Sequence, residues 1–184
     1  MKYDDFFKNY SNAISNLLNS VDTNLIDQSV GLIKSKIKSN NTVYIAGNGG
    51  SASIASHVSV DFAKVAKVKS LTFNNTNLIT CFANDYGYEN WLKEAIIAHC
   101  LNDDLLILIS SSGKSPNIIN AASYCKENNI DLITLSGFSK NNELKNFGKV
   151  NFYVNSENYN HIEMTHHIIL VSIVDIFAKY TKEI

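Results

Sequence analysis

The sequence of 184 residues lacks an excess of either charge. Its 16 basic residues are balanced by 17 acidic ones, which gives a formal net charge of −1. The two signs are interspersed, so the basic footprint of a nucleic-acid-binding or membrane-surface protein is absent. Residues 1–6 lack the apolar core of a signal peptide, and no continuous apolar run is long enough to span a bilayer. These absences predict a cytoplasmic protein.

Cysteine is scarce and follows no pattern. Cys81, Cys100 and Cys125 are odd in number and lack the short spacings of a metal-binding motif. We expect reduced thiols, mostly buried, as in cytosolic proteins. No linker, repeat or low-complexity tract divides the chain, so a single domain with a substantial core is expected.

Apolar periodicity predicts a helical pair followed by alternating strands and helices. Residues 1–40 carry two apolar stripes with helical spacing, and residues 41–184 have the pattern of an α/β core. The predicted strands are 42–46, 69–73, 104–109, 130–135 and 150–154, and the later helices lie near 52–65, 76–84, 89–99, 116–128 and 161–181. Nearly continuous apolar strands suit a parallel sheet covered on both faces. The prediction is therefore a doubly wound α/β sheet.

The leading helical pair is extra to that architecture. Its first helix places Phe6, Phe7 and Tyr10 on several sides, which is more apolar surface than one small domain needs to cover. Packing against a second subunit in a homo-oligomer is the favoured interpretation. A helix folded over its own sheet is the alternative.

Two small-residue turns follow predicted strands. Residues 47–51 (Gly-Asn-Gly-Gly-Ser) and 110–116 (Ser-Ser-Ser-Gly-Lys-Ser-Pro) each lie between a strand and a helix. This order directs unpaired backbone N–H groups and the positive end of the helix dipole at one place, which suits a phosphate. Neither turn has a dinucleotide or P-loop fingerprint, and ordinary turns also use Gly and Ser. Two such turns in one chain nevertheless favour a site for a small phosphorylated ligand.

Two predicted helices each carry a histidine and a carboxylate four residues apart. His57 and Asp61 share one face of the helix after the first turn, and Glu163 and His167 share a face of the last helix. Two imidazoles and two carboxylates form a reasonable ligand set for Zn²⁺ or another divalent ion. Solvated salt bridges on helix surfaces are the alternative interpretation.

The segment 84–89 combines charge, aromatic residues and a flexible glycine between two helices. Asp85 there has two interpretations, as a carboxylate that caps the following helix or as a partner for substrate hydroxyls.

Together these motifs resemble the sugar isomerase (SIS) domain family, and within it the phosphoheptose isomerases. The match runs over nearly the whole chain, 1–184. The resemblance implies a single SIS domain with a flavodoxin-like, five-stranded parallel sheet, a homotetramer with sites at subunit interfaces, and oligomerisation through 1–40. The residues that it implies for phosphate and sugar binding are Asn48, Gly49, Gly50, Ser51, Asp85, Ser110, Ser111, Ser112, Ser115 and Glu163.

The sequence departs from the family's pattern around the reacting groups. The family's isomerases usually have Glu at Asp61, Gln at Glu163 and His at Val171. A substrate-binding Arg is replaced by Val65, and an Asp by Asn160. His167 lies one turn before Val171 on the same face, so we predict that it stands in for the lost His. The predicted metal ligands are His57, Asp61, Glu163 and His167, and the predicted catalytic residues are Asp61 and His167.

The resemblance implies aldose–ketose isomerisation of sedoheptulose 7-phosphate through an enediol, with Asp61 as the best candidate base. Such an enzyme would supply heptose for a bacterial surface polysaccharide, either lipopolysaccharide or capsule. Two alternatives remain open. One is an isomerase for another sugar phosphate. The other is a non-catalytic SIS protein that binds a sugar phosphate, like the tetrameric partner of the bacterial replication initiator.

Overall fold

The computed structural model describes residues 3–180 and is built on a parallel sheet of five strands. These are β1 (Val43–Gly47), β2 (Ser70–Thr72), β3 (Leu105–Ser110), β4 (Asp131–Ser136) and β5 (Val150–Tyr153). They pair in the order β2-β1-β3-β4-β5, and every pairing is parallel. The predicted fold class is confirmed.

Seven helices surround the sheet in the described part of the chain, with a short 3₁₀ turn at Leu144–Asn146. They are α1 (Asp4–Asn19), α2 (Thr23–Lys38), α3 (Gly50–Lys64), α4 (Thr76–Tyr86), α5 (Trp91–His99), α6 (Pro116–Glu127) and α7 (Tyr159–Tyr180).

The two faces of the sheet are buried by different sets of helices. Alternate residues of a strand point to opposite faces. Ile45 and Ile107 therefore join one core cluster with α2, α3 and α7, whereas Tyr44 and Leu106 join a second cluster with α4, α5 and α6. Burial on both faces explains why β1 and β3 are continuous apolar runs.

The order of strands in the sheet reverses between β1 and β3, although all strands stay parallel. After β1 the chain forms β2 on one side, and β3 then pairs with β1 on the other side, with Gly47 opposite Ile109. The loops that follow β1 and β3 therefore lie side by side at the carboxyl edge of the sheet. This is the place where open α/β sheets bind ligands.

Helix α7 has the length and mean hydropathy of a membrane-spanning helix, although polar residues interrupt it and it is not a continuous apolar run. Its 22 residues have the required length, and an 18-residue window has a mean hydropathy of 1.3. Its buried residues include Ile162, Leu170 and Phe177, of which Leu170 and Phe177 belong to the first core cluster. The core helix of a soluble protein passes the same test of length and hydropathy.

Helix α1 contacts its own domain but buries none of its residues. The ring of Tyr10 meets the ring of His161 of α7 edge-on at 4.6 Å, whereas Phe6 and Phe7 are 69% and 71% exposed. Both interpretations of this helix thus find support in the monomer.

The three cysteines differ in exposure. Cys125 is buried, Cys100 is half-buried and Cys81 is exposed, and all three are free thiols. The expectation of mostly buried thiols is wrong for Cys81, which lies on the outer face of α4.

Candidate functional site

A polar cavity of about 130 Å³ lies where the loops after β1 and β3 meet. Most of the residues predicted to bind phosphate or sugar border it. Its lining consists of Asn48, Ser51, Ile109, Ser110, Ser111, Ser112, Ser115, Tyr159 and Glu163. The fold thus brings the two predicted turns together with the start of α7.

Three helices begin at this cavity. Helices α3, α6 and α7 start at Gly50, Pro116 and Tyr159, and each contributes its N-cap or first-turn residues to the lining. The N-terminus of a helix carries a positive partial charge and free backbone N–H groups. The cavity is therefore suited to an anionic group, although no lysine within residues 3–180 lines it.

The serine loop offers hydroxyl groups to this cavity. The hydroxyl oxygens of Ser110 and Ser115 are 3.2 Å apart, and Ser112 accepts a hydrogen bond from the backbone N–H of Lys114. The Oγ atom of Ser111 is buried without a hydrogen-bond partner among residues 3–180. A buried hydroxyl without a partner is costly, so a ligand that bonds to it would gain affinity.

Close packing against a neighbouring loop fixes the shape of the serine loop. Gly113 has a φ of +63°, and a Cβ atom there would overlap the side chain of Asn142. Asn142 is fully buried and donates hydrogen bonds to Ser136 Oγ at 3.1 Å and to the Ser139 carbonyl at 2.8 Å. Nothing in the local sequence marked Asn142, because its role depends on a loop about thirty residues away.

The two ligand turns are joined by a reciprocal pair of amides. Asn48 Nδ2 donates to Asn117 Oδ1 at 2.8 Å, and Asn117 Nδ2 donates to Asn48 Oδ1 at 2.9 Å. The hydroxyl of Tyr88 also donates to Asn48 Oδ1, at 3.3 Å. Sequence reasoning missed Asn117 and Tyr88, since the pattern showed only that Asn117 follows the proline that begins α6.

Glu163 lies over the N-terminus of α3. A Cβ atom at Gly50 would overlap its carboxylate, so the absence of a side chain at Gly50 permits this close approach. Burial raises the pKa of the Glu163 carboxyl. Gly49 and Gly50 are not among the lining residues. Gly49, with a φ of +54°, instead gives the turn its shape.

Asp85 does not line the cavity. It is exposed near the end of α4, where its Oδ1 accepts a hydrogen bond from Asn84 Nδ2 at 2.9 Å. From this segment Tyr88 reaches Asn48 instead. The predicted contact of Asp85 with sugar therefore finds no support within the monomer.

His57, Asp61 and His167 form a chain of hydrogen bonds across α3 and α7. His57 Nδ1 lies 2.7 Å from His167 Nε2, and His57 Nε2 lies 3.0 Å from Asp61 Oδ2. Burial lowers the pKa of His167, as does the neighbouring His57, while Asp61 acts in the opposite direction. His167 is therefore neutral near pH 7 and able to accept or donate a proton.

The arrangement of His57, Asp61 and His167 does not fit one metal ion bound by all three side chains. The partners of His57 approach opposite nitrogens of its ring, whereas a metal needs its ligand atoms to converge on one point. Within the described residues no group of three or more His, Cys, Asp or Glu side chains is placed to hold a metal. The four-residue metal site stays a prediction from the sequence.

His166 differs from its neighbour His167. It is fully buried and its Nε2 lies 3.1 Å from the Ser136 carbonyl oxygen. Burial lowers its pKa to about 4, against a smaller effect of that hydrogen bond. It is a core residue, not part of the cavity or of an exposed interface.

Comparisons of the sequence with known proteins find a matching family and related enzymes. The sequence model of the SIS domain matches residues 5–137. Phosphoheptose isomerase 2 of Campylobacter jejuni subsp. jejuni is 38% identical over 130 residues, which cover 64% of this chain and 63% of that protein. The match thus spans less than two thirds of that relative's length.

Two solved structures share the fold over nearly the whole chain. A phosphoheptose isomerase from Francisella tularensis superposes with a TM-score of 0.84 at 24% identity and covers 97% of both chains. The phosphoheptose isomerase from Neisseria gonorrhoeae gives a TM-score of 0.85 at 21% identity, covering 96% of this chain and 99% of that one. At these identities the likeness establishes a common fold.

Proposed function

The chain belongs to the SIS domain family, and on that basis we propose that it is an aldose–ketose isomerase of the phosphoheptose isomerase kind, acting on sedoheptulose 7-phosphate. The relatives with this name support the choice of substrate. The observation that carries the proposal is the buried Ser111 hydroxyl without a partner in residues 3–180, in a cavity where three helices begin.

The cavity suits the phosphate end of the substrate. The chain has no arginine, because all 16 of its basic residues are lysines. Phosphate would therefore be held by backbone N–H groups, helix dipoles and the hydroxyls of Ser110, Ser111, Ser112 and Ser115. Glu163 borders the same cavity, and burial raises the pKa of its carboxyl, which reduces the repulsion between this side chain and a bound phosphate.

The reacting end of the sugar would reach the histidine chain. His57, Asp61 and His167 do not line the cavity itself. Glu163 does, and it shares one face of α7 with His167. His167 lies one turn beyond Glu163 on α7. An extended seven-carbon sugar with its phosphate in the cavity would span this turn, so its first two carbons would lie beside His57, Asp61 and His167.

The proposed reaction moves one proton between carbons and one between oxygens. Asp61 removes a proton from C1 of the ketose while His167 gives a proton to the carbonyl oxygen on C2, which forms an enediol. His167 then takes the proton of the hydroxyl on C1, and Asp61 returns its proton to C2 to give the aldose. His57 holds Asp61 and His167 in position through its two ring nitrogens.

A divalent metal such as Zn²⁺ is not needed in this scheme and stays a separate prediction. A bound ion would polarise the carbonyl oxygen. Elemental analysis of the purified protein and of a His167→Ala variant tests the predicted site. A lower metal content in the variant would support it, and unchanged metal content and activity would contradict it.

The first experiment is incubation of the protein with sedoheptulose 7-phosphate, followed by NMR. We expect the aldoheptose phosphate to form, and the rate to fall about a thousandfold in Asp61→Asn, as is typical for loss of an acid–base group. Asp103→Asn is the matched control, because it makes the same change at an exposed aspartate outside the cavity.

Two other outcomes would replace this proposal with an alternative. Turnover of a different sugar phosphate would keep the mechanism and change the substrate. Binding of sugar phosphates without turnover would indicate a non-catalytic SIS protein, an alternative motivated by Asp61 and Val171 at the family's usual Glu and His positions.

A homotetramer in the cytoplasm, supplying heptose for a surface polysaccharide, completes the proposal. The exposed aromatic side chains of α1 support an oligomer, since large apolar side chains clustered on a surface mark interaction sites. The interspersed charges and the resemblance to soluble isomerases support the location.

A further inference from the structure

The amide of Asn48 has almost no hydrogen-bonding capacity left. A carboxamide has two N–H donors and two acceptor lone pairs. In Asn48 one N–H donates to Asn117, and both lone pairs of Oδ1 accept hydrogen bonds, from Asn117 Nδ2 and from the Tyr88 hydroxyl. One N–H group remains, and Asn48 lines the polar cavity.

The partners hold the amide in place. The two hydrogen bonds with Asn117 and the contact with the Tyr88 hydroxyl fix the position of the Asn48 amide plane. Asn117 is only 1% exposed and lies in the first turn of α6, so its own side chain has little freedom. The pair also ties the loop after β1 to the helix that follows the serine loop.

We infer that Asn117 and Tyr88 are positioning residues that hold the Asn48 amide in place at the ligand cavity. The inference rests on the proposed sugar-phosphate site and deepens it. It predicts that the Asn48 amide contacts the ligand, either at the phosphate or at the sugar.

This positioning matters because a side chain that is already held in place loses little conformational freedom when the ligand binds. Asn117 would thus act on affinity without touching the ligand.

The test is a double-mutant cycle on ligand affinity. Asn117→Leu keeps the approximate shape of the side chain and removes both of its hydrogen bonds to Asn48. We expect it to weaken sedoheptulose 7-phosphate binding by about tenfold in calorimetry, the effect of losing one hydrogen bond to a charged ligand. Inorganic phosphate binding should weaken equally if Asn48 contacts the phosphate, and should not change if Asn48 contacts the sugar. In the Asn48→Ala background the same substitution should have almost no further effect, because Asn117 acts through Asn48.

Tyr88→Phe provides a second arm that does not disturb the core, since Tyr88 is 56% exposed. It should weaken binding by about threefold in the wild-type background and leave it unchanged in Asn48→Ala. The matched control is Asn128→Leu, which removes the hydrogen bond from Asn128 to the Tyr124 carbonyl at the far end of α6. Its affinity should stay within about twofold of wild type. Thermal unfolding of each variant separates lost affinity from lost folding.

Each outcome supports or overturns the inference. It is overturned if Asn117→Leu binds like the control at a similar loss of thermal stability, or if its effect is undiminished in Asn48→Ala. Wild-type protein that binds sedoheptulose 7-phosphate without converting it would contradict the proposed function alone, because the affinity cycle can still be measured. Wild-type protein that binds neither ligand would overturn both.

Discussion

The buried His166 predicts a specific loss of stability in mild acid. In the folded protein its pKa is about 4, because burial disfavours the charged ring, whereas the ordinary histidine value is 6.5. Between these values the unfolded chain binds a proton that the folded chain does not, so stability falls as the pH falls from about 6.5 to about 4. Above pH 6.5 the ring is neutral in both states and contributes no slope.

The size of this loss follows from the difference between the two pKa values. That difference is about 2.5 units, and each unit corresponds to 1.36 kcal/mol, so His166 should remove about 3 kcal/mol of unfolding free energy across the interval. The histidine-to-glutamine variant His166→Gln cannot titrate but can still donate to the Ser136 carbonyl. Its free energy of unfolding should therefore fall by about 3 kcal/mol less than that of the wild type over the same pH interval.

The assay is urea denaturation of both proteins at about pH 7.5 and about pH 4.5. Other groups titrate equally in the two proteins, so their effects cancel in the difference. Parallel losses of stability in wild type and His166→Gln would refute the reasoning. They would mean that the ring is not held neutral by burial.

Three further predictions concern the loops, the sheet and the surface. Gly113→Ala should lower the free energy of unfolding by about 3 kcal/mol and weaken phosphate binding, because the new methyl group meets a buried side chain at a positive φ. The control Gly31→Ala, in an open helical position, should be neutral or slightly stabilising in the same urea assay. Burial would raise the pKa of Asp131, but hydrogen bonds from two lysines lower it, so Asp131→Asn should cost about 2 kcal/mol at neutral pH and progressively less in acid below about pH 4. A tetramer of 20.5 kDa chains has a mass of about 82 kDa, and Phe6→Ser should shift the mass measured by light scattering towards smaller species. An unchanged mass would exclude the exposed ring of Phe6 from the interface.

The sequence by itself determined the architecture and the position of the ligand turns. Apolar runs placed the five strands within about two residues of their observed bounds, since buried parallel strands need continuous apolar side chains. The turns at 47–51 and 110–116 were also visible, because Gly and Ser meet local requirements for tight loops and helix starts. The order of strands then brings the two turns together.

The tertiary structure alone decided how the polar side chains pair. Asn48 and Asn117 are 69 positions apart, and His57 and His167 are 110 apart. No local sequence pattern predicts contacts between residues so far apart in the chain. The same is true of Asn142 against Gly113, of His166 in the core beside the half-buried His167, and of the absence of Asp85 from the cavity lining. A polar side chain has several possible partners of similar energy, and packing of the surrounding core selects among them.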